Sequence, residues 1–428
     1  MATLPKEVNY ELVTLPSEIT SQSYVSRSTN GSEFSSNQTA QFSLIQNRGT
    51  YLINDSLRLT FRIKVTADAA DANSILGIPA ASVWDRSSVY CNSTSVEDIN
   101  NYGAVVNALL HSKLSVAQKM GYSKMFGNTF TANEANDVDS VEIAAGSGAN
   151  ILEVSIPLMN CLSMADKFVP LDSGSWLIYL TVADLAAFAL KDADGSATNL
   201  TAFSVDNCEI HYKAVTMPAG LDAAIKSQVD GAGDIYFKSQ SYASAVANIP
   251  AATSGNINLV FANSLSSIKS LWCLFCKTTT YKNFASFNVT GGSGSVVWNV
   301  AGKQYPNSRI DMTNHESEAT AEFLEAVHGI HASDAVQCSL SANNFRAINS
   351  AYAAGDIKDL GKCYFGISTE RLAGKSYMLT GISSQNSNIQ LELDIGVPTA
   401  GSTNVVQVFN YDLLMKYNPQ MGTLVVLK

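Results

Sequence analysis

Apolar and polar side chains alternate along much of this chain, and the alternation reads as one plan written twice. In residues 38–218, Phe42 and Leu44, then Leu57, Leu59, Phe61 and Ile63, recur at two-residue spacing, as half-buried strands require. In residues 235–428 the stretch Asn256-Ile257-Asn258-Leu259-Val260-Phe261 repeats the pattern. Each half closes on a strand built around a tyrosine, Cys208-Glu209-Ile210-His211-Tyr212 and Val408-Phe409-Asn410-Tyr411-Asp412, with Pro218 and Pro419 following. Further strands are predicted at 151–157, 175–183 and 205–215. The second half adds 235–247, 267–277, 296–300, 363–369, 376–383, 388–395, 404–416 and 423–427. Residues 67–81 and 127–150 read as loops.

The period changes once in each half. From Val96 onward Ile99, Tyr102, Val105, Val106, Leu109, Leu110, Leu114 and Ala117 fall at three- and four-residue spacing, one amphipathic helical stripe. Ser95 is placed to cap it, with Glu97 and Asp98 in a first turn where the helix dipole favours anions. The second helix is predicted over 316–328, with a capping-box start at Thr313-Asn314-His315-Glu316 and Gly329 as C-cap. Short strands, Gly/Ser/Asn turns and one helix per half predict an all-β chain of two tandem eight-stranded jelly-roll β-sandwiches, a helix inserted in each. The predicted division is an N-terminal arm at 1–37, a first jelly roll at 38–218, a linker at 219–234 and a second jelly roll at 235–428.

Composition narrows the function. Hydrophobic residues make up 46% of the 428 positions, ample for full cores. Charged residues are 15%, against roughly 25% in an ordinary soluble domain, with Ser, Thr, Asn and Ala in their place. Such surfaces suit packing against neighbours. Net charge is −10 and the chain has no basic run, so direct nucleic-acid binding is not expected. No stretch reads as a secretory leader, and none approaches the roughly 18 apolar residues of a spanning helix. Seven cysteines without regular spacing argue against a disulfide framework, so the chain reads as made and folded in the cytosol.

Candidate chemistry is sparse. Cys273 and Cys276 stand three apart on a predicted strand, which turns them to opposite faces, and they read as buried core thiols. His328 and His331 read as helix-end histidines beside Glu325. Gly291-Gly292-Ser293-Gly294 lacks the Lys and following helix of a phosphate loop. Asp166, Asp172 and Asp184 have no spacing that marks a carboxylate pair, and five histidines leave little material for acid–base work. No catalytic, cofactor-binding or metal-binding residue is assigned.

Two stretches carry a resemblance. Ser88-Val89-Tyr90-Cys91-Asn92-Ser93-Thr94-Ser95-Val96-Glu97-Asp98-Ile99-Asn100-Asn101-Tyr102 resembles the segment of double jelly-roll major capsid proteins in which a strand and turn lead into glutamate, any residue, isoleucine, then Asn-Tyr at a helix start. Val297-Trp298-Asn299-Val300-Ala301-Gly302-Lys303-Gln304-Tyr305-Pro306 resembles that lineage's second-barrel motif, a Trp-bearing strand, a glycine turn and Tyr-Pro before a helix. The lineage spans adenovirus hexons, tailless phages, polinton-like viruses, virophages and large algal viruses. The resemblance implies a viral major capsid protein of the virion, synthesised in a host cell and without enzymatic activity. It implies a homotrimeric, pseudo-hexagonal capsomer tiling an icosahedral shell. Expected partners are neighbouring capsomers, penton and minor capsid proteins, with contact to an internal membrane open. Two readings compete: a carbohydrate-binding or adhesin-like sandwich, which needs exposed Trp and Tyr, and a cupin-like enzyme, which needs a cluster among His111, His211 and His315.

Overall fold

The computed structural model describes residues 19–67, 73–76, 79–127, 140–143, 149–184, 190–192, 200–227, 233–277, 294–311, 316–327, 364–370, 379–395 and 402–428. The first half holds β1 (Thr20–Arg27), β2 (Glu33–Ser35), β3 (Thr39–Ser43), β4 (Thr50–Leu52), β5 (Arg58–Ala67), β6 (Asn73–Leu76), β7 (Trp84–Cys91) and β8 (Thr94–Asn100). It continues with β9 (Ser140–Ile143), β10 (Ala149–Pro157), β11 (Val169–Pro170), β12 (Trp176–Val182), β13 (Leu190–Asp192) and β14 (Leu200–Thr216). Helices α1 (Pro79–Ser82), α2 (Tyr102–Lys113) and α3 (Val116–Phe126) interrupt it, and α4 (Ala219–Lys226) leads out. The second half holds β15 (Ile235–Ile249), β16 (Gly255–Phe261), β17 (Ile268–Lys277), β18 (Gly294–Val300), β19 (Lys303–Asp311), α5 (Glu316–Val327), β20 (Tyr364–Ser368), β21 (Ile389–Ile395), β22 (Thr403–Asn418) and β23 (Thr423–Leu427).

The pairing is that of two jelly rolls. In the second half one sheet runs β15–β22–β17–β20 and the other β16–β21–β18–β19, with β23 added beside β22. Counting the first eight strands in chain order, this is first–eighth–third–sixth facing second–seventh–fourth–fifth, the double Greek key of a jelly roll. The first half repeats it with β1–β14–β5–β10 and β3–β12–β7–β8. Strands β2, β4 and β11 extend the first of these sheets, and β6, β9 and β13 form a small separate one. The closing tyrosine strands, β14 and β22, are thus equivalent, each the eighth and central strand of its sheet. The opening stretches compared in sequence are not equivalent: β5 is a third strand and β16 a second. The segment expected as an arm supplies β1, which pairs residue for residue with β14 from Thr20↔Thr216 to Arg27↔Glu209. Stretches read as loops carry β6, α1 and β9. Residues 379–384 form no named strand but join the second barrel by an Ile382–Ile268 bridge, with backbone hydrogen bonds of 2.7 and 2.9 Å, and by the Ser384 N–H to the Leu265 carbonyl at 2.9 Å.

Both helical insertions follow the fifth strand of their barrel. The first starts later than its stripe predicted. Thr94–Asn100 is strand β8, because Asp98 is held across the ladder by Arg86, through two bonds of 2.7 and 2.6 Å, and by the Ser88 hydroxyl at 2.8 Å. Asn101, at φ +51°, turns the chain and α2 begins at Tyr102. Nor is α2 amphipathic: Tyr102 to Ser112 are all buried, as in a helix covered on every side. It is followed by α3, which has a full Ser115/Gln118 capping box and ends on Gly127 at φ +74°. A Cβ on Gly127 would stand 2.7 Å from Val154, so the residue also permits close approach of the helix end to β10. In the second half Val300 pairs with Lys303 across a two-residue turn, Ala301 (φ +51°) and Gly302 (φ +78°), the all-positive geometry that matches strand twist. The motif read as a glycine turn is therefore a hairpin, with β19 as its second strand. Helix α5 presses Phe323 onto Trp272 and Tyr364, and Gly366 lets it approach. The expected cap residues of α5, Thr313 to His315 and Gly329, lie outside the described residues.

A buried polar bridge spans the core of the second barrel. Trp298 on β18 donates its indole N–H to Gln407 Oε1 on β22 at 2.9 Å. The amide of Gln407, fully buried, donates onward to the Trp272 and Val408 carbonyls at 3.2 and 3.1 Å. The bridge ties one sheet to the other through groups that would be costly to orphan. Trp298→Phe and Gln407→Leu are each expected to cost about 1–3 kcal/mol for the stranded partner, beyond any cavity term. Their double mutant should cost less than the sum by about 0.5–3 kcal/mol, read from urea unfolding in a double-mutant cycle. Additive single effects would show that the bridge carries no coupling.

Candidate inter-barrel junction

The junction is built where β8 of the first barrel lies beside β15 of the second. On β8 the alternation of Val96, Asp98 and Asn100 against Glu97 and Ile99 is broken, and Val96, Glu97 and Ile99 are all buried. Strand β15 offers Ser239 and Ser241, two apart and so on one face, both buried. The loop after β10 supplies the third side. Asn160 Oδ1 accepts from the backbone N–H groups of Leu162 and Ser163 at 3.1 and 3.0 Å, an Asx turn that holds Cys161 toward the junction.

Glu97 sits at the centre, fully buried. Its Oε2 accepts the Cys161 backbone N–H at 2.9 Å, and its Oε1 accepts the Ser241 hydroxyl in a short contact. Around it, Ser239 donates to the Cys161 carbonyl at 2.6 Å and Ser244 to the Asn100 carbonyl at 2.7 Å. Tyr102 accepts the Met159 N–H at 3.1 Å. Burial pushes the Glu97 carboxyl up to about 7 from an ordinary 4.5, against the hydrogen bonds from Ser241 and Cys161 and the positive charge of Lys428. Burial likewise pushes up the Cys161 thiol and the Tyr102, Tyr242 and Tyr411 phenols, with Glu97 adding to each.

A second tie runs through Lys238. Its backbone exchanges bonds with Asp166 of the first barrel, 2.8 Å to the Lys238 carbonyl and 2.9 Å to Asp166 Oδ1. Its ammonium reaches Asp412 Oδ1 at 2.9 Å in the second. Burial alone would raise the Asp412 pKa, but the Thr380 N–H, the Ser267 hydroxyl and Lys238 outweigh it and hold this carboxylate below its usual range. The connector is pinned as well. Asp222 on α4 accepts the Tyr51 hydroxyl at 2.7 Å, and Lys226 pairs with both Asp222 and Asp172. At its exit Asp234 takes Lys416 at 2.7 Å and Asn418 at 3.1 Å. Helices α2 and α5, one from each half, also touch.

The remaining candidates do not converge on a site. Cys273 and Cys276 on β17 are buried free thiols, the latter pushed by burial up to about 12. His111 on α2 is buried with Nδ1 2.6 Å from Lys119 Nζ, whereas His211 on β14 stands 3.4 Å from Glu209. Asp166 and Asp172 serve the junction and the connector. Gly294 opens β18; Gly291 to Ser293, His315, His328 and His331 lie outside the described residues. Among the described residues no group of three metal-binding side chains assembles, and no helix is long and apolar enough to cross a membrane. All four tryptophans, Trp84, Trp176, Trp272 and Trp298, are buried in the cores. The chemistry of the junction has no local signature: Glu97 reads in sequence as a helix-dipole partner, and nothing near it points to a serine 144 positions away. The resemblance motif did fall on it, since Glu97, Ile99 and Tyr102 are the residues that build one wall.

No family model matches this chain, and no curated protein matches its sequence. Solved structures do. The Faustovirus major capsid protein aligns with a TM-score of 0.61 over 96% of this chain and 92% of its own, at 8% identity. The PBCV-1 protein VP54, as fitted into a cryo-EM reconstruction of the virophage Sputnik, gives 0.60 over 98% and 99%, at 9% identity. The mavirus major capsid protein gives 0.52 over 100% and 95%, at 12% identity. At such identities the likeness is one of fold, and it runs the full length of both chains: a double jelly roll.

The Glu97 clasp carries a pH dependence of known sign. The folded protein holds this proton up to about pH 7, the unfolded chain only to about 4.5. Stability from this group is therefore whole below the lower value and falls as pH rises through the upper, by on the order of a few kcal/mol. Glu97→Gln keeps one acceptor for the Cys161 N–H and gives Ser241 a donor, so it mimics the protonated acid. In thermal unfolding, the parent should lose stability relative to Glu97→Gln between about pH 5 and about pH 8. A difference that stays constant across that range refutes the assignment. Asp412 works with the opposite sign. Its contribution is present at neutral pH and lost on acidification, and Asp412→Ala should cost about 3–5 kcal/mol in urea unfolding at pH 7 by stranding its buried partners; a cost within that of a surface substitution contradicts the tie.

Proposed function

We propose that this chain is a viral major capsid protein, three copies of which close into a pseudo-hexagonal capsomer that tiles an icosahedral shell. The observation that carries the reading is the repetition of one strand order, first–eighth–third–sixth over second–seventh–fourth–fifth, in two adjoining barrels of a single chain. Two such lobes per chain and three chains about an axis make six similar lobes from one gene product. The full-length likeness to capsid proteins of Faustovirus, PBCV-1 and mavirus supports it. A ring of this kind is heterologous: one face of each copy meets a different face of the next. A chain with only 15% charged residues suits the wide contacts, above roughly 2,000 Å², of obligate assemblies.

In this reading the protein has no enzymatic activity and resides in the virion capsid after synthesis in a host cell. Its partners are neighbouring capsomers, penton and minor capsid proteins, and an internal membrane where one is present. Net charge of −10 gives it no footing on nucleic acid. The carbohydrate-binding alternative, which needs exposed Trp and Tyr, loses the tryptophan half of that requirement, because every tryptophan here is inside a core.

Native mass spectrometry of the purified protein at micromolar concentration should give a species of three times 45.7 kDa. Negative-stain images should contain pseudo-hexagonal plates. A stable monomer under the same conditions would overturn the proposal.

A further inference from the structure

Beneath the connector lies a groove of about 550 Å³ shared by both barrels. Its walls are Phe168 and Pro170 from the first barrel, Met217 and Ile225 at the connector, and Ile235 and Tyr417 from the second. Phe168 is 48% exposed, a large apolar side chain facing solvent at the rim. An apolar groove of this size in a pinned, rigid frame is a binding surface in need of an occupant. Three charged residues line it. Lys226 is already matched by Asp172 and Asp222, and Asp234 by Lys416, so exposed Lys167 is the positive charge offered to whatever binds.

The direction of β1 identifies a candidate. It runs antiparallel to β14 with Thr20 opposite Thr216, the residue before Met217 of the groove wall. The N-terminal end of β1 therefore points past the end of β14, on the side of Met217 and α4. The eighteen residues before Ile19 include Val8, Tyr10, Leu12, Val13 and Leu15, the first three at strand spacing. Val13 is seven residues from Thr20, a reach of up to about 25 Å. The same segment holds Glu7, Glu11 and Glu18 against Lys6, a net negative charge complementary to Lys167.

We propose that the groove is the seat of the chain's own N-terminal segment, Met1–Glu18, with Tyr10, Leu12, Val13 and Leu15 as the side chains that fill it. The segment then acts as a strap across the connector, tying both barrels from below. The proposal stands apart from the capsid reading, since it concerns one chain and holds for a monomer as for a trimer.

The test uses the full-length protein carrying a benzophenone amino acid at position 10 or 12. After illumination, mass spectrometry should place the main crosslinks within the same chain on Met217, Ile225 or residues 234–237. Crosslinks between chains, or onto another surface, overturn the proposal. Hydrogen exchange provides the second arm. Backbone amides of 219–226 and 234–237 should exchange at least about tenfold faster in a Leu12→Asp/Val13→Asp variant than in the parent, with the amides of β17 and of residues 403–412 unchanged. Equal protection in parent and variant overturns it too. Native mass of the same samples reports the oligomer separately, so a failure of the strap and a failure of the trimer are told apart.

Discussion

A carboxyl group cut off from water and engaged at both oxygens joins the two halves of this molecule. Glu97 draws the Cys161 N–H from its own barrel and the Ser241 hydroxyl from the other, and most of the junction is arranged around that pair of bonds. Removing a carboxylate from water is expensive, and among the described residues no cation pairs with it directly. The group instead keeps its proton further up the pH scale, which lowers the cost of burial and leaves a donor in place. In exchange the seam is directional. Oriented bonds from a backbone N–H and a serine hydroxyl define one angular setting of barrel on barrel, where an apolar contact of the same area would tolerate sliding.

Strand β15 makes that setting possible because it serves two barrels at once. Along one edge it pairs with β22 over all fifteen of its residues, from Ile235↔Tyr417 to Ile249↔Thr403. Toward the first barrel it presents Ser239, Ser241 and Ser244, and the main chain of Lys238. Small hydroxylated residues let the barrels approach closely while giving the Cys161 and Asn100 carbonyls a donor each. The same closeness explains why α2 is buried on all sides: its neighbours include β7 and α1 of its own half and α5 of the other.

The parts of the fold legible in sequence were those with a local signature. The tyrosine strands β14 and β22 close their halves where expected, although β22 is buried along nearly its whole length rather than at every second residue, and β23 falls on the predicted 423–427. What misled was any residue whose role depends on a distant partner. Asp98 looks like a helix-start anion until Arg86 is placed across the ladder, and Glu97 until Ser241 arrives from the second barrel. Thr20–Arg27 has few apolar residues and reads as an arm, yet its backbone completes the β14 edge, a debt of hydrogen bonds that no side-chain pattern records. The miss at α3 is different. Ser115, Gln118 and Gly127 spell both of its caps, but the stripe of α2 runs through Leu114 and Ala117 and hides the break between the helices.

The connector completes the argument for a rigid body. A chain that folded two barrels and left a free tether between them would present two lobes at variable angles. Here α4 is held to the first barrel by Tyr51 and Asp172, and its exit at Asp234 is held to the second by Lys416 and Asn418. Each bond sits within a few residues of the crossing point, where angular freedom would otherwise be greatest. The Glu97 seam fixes the barrels near the middle of β15, the Asp234 anchor just before its start. Two constraints along one strand remove rotation as well as separation, so repeated strand order becomes repeated shape.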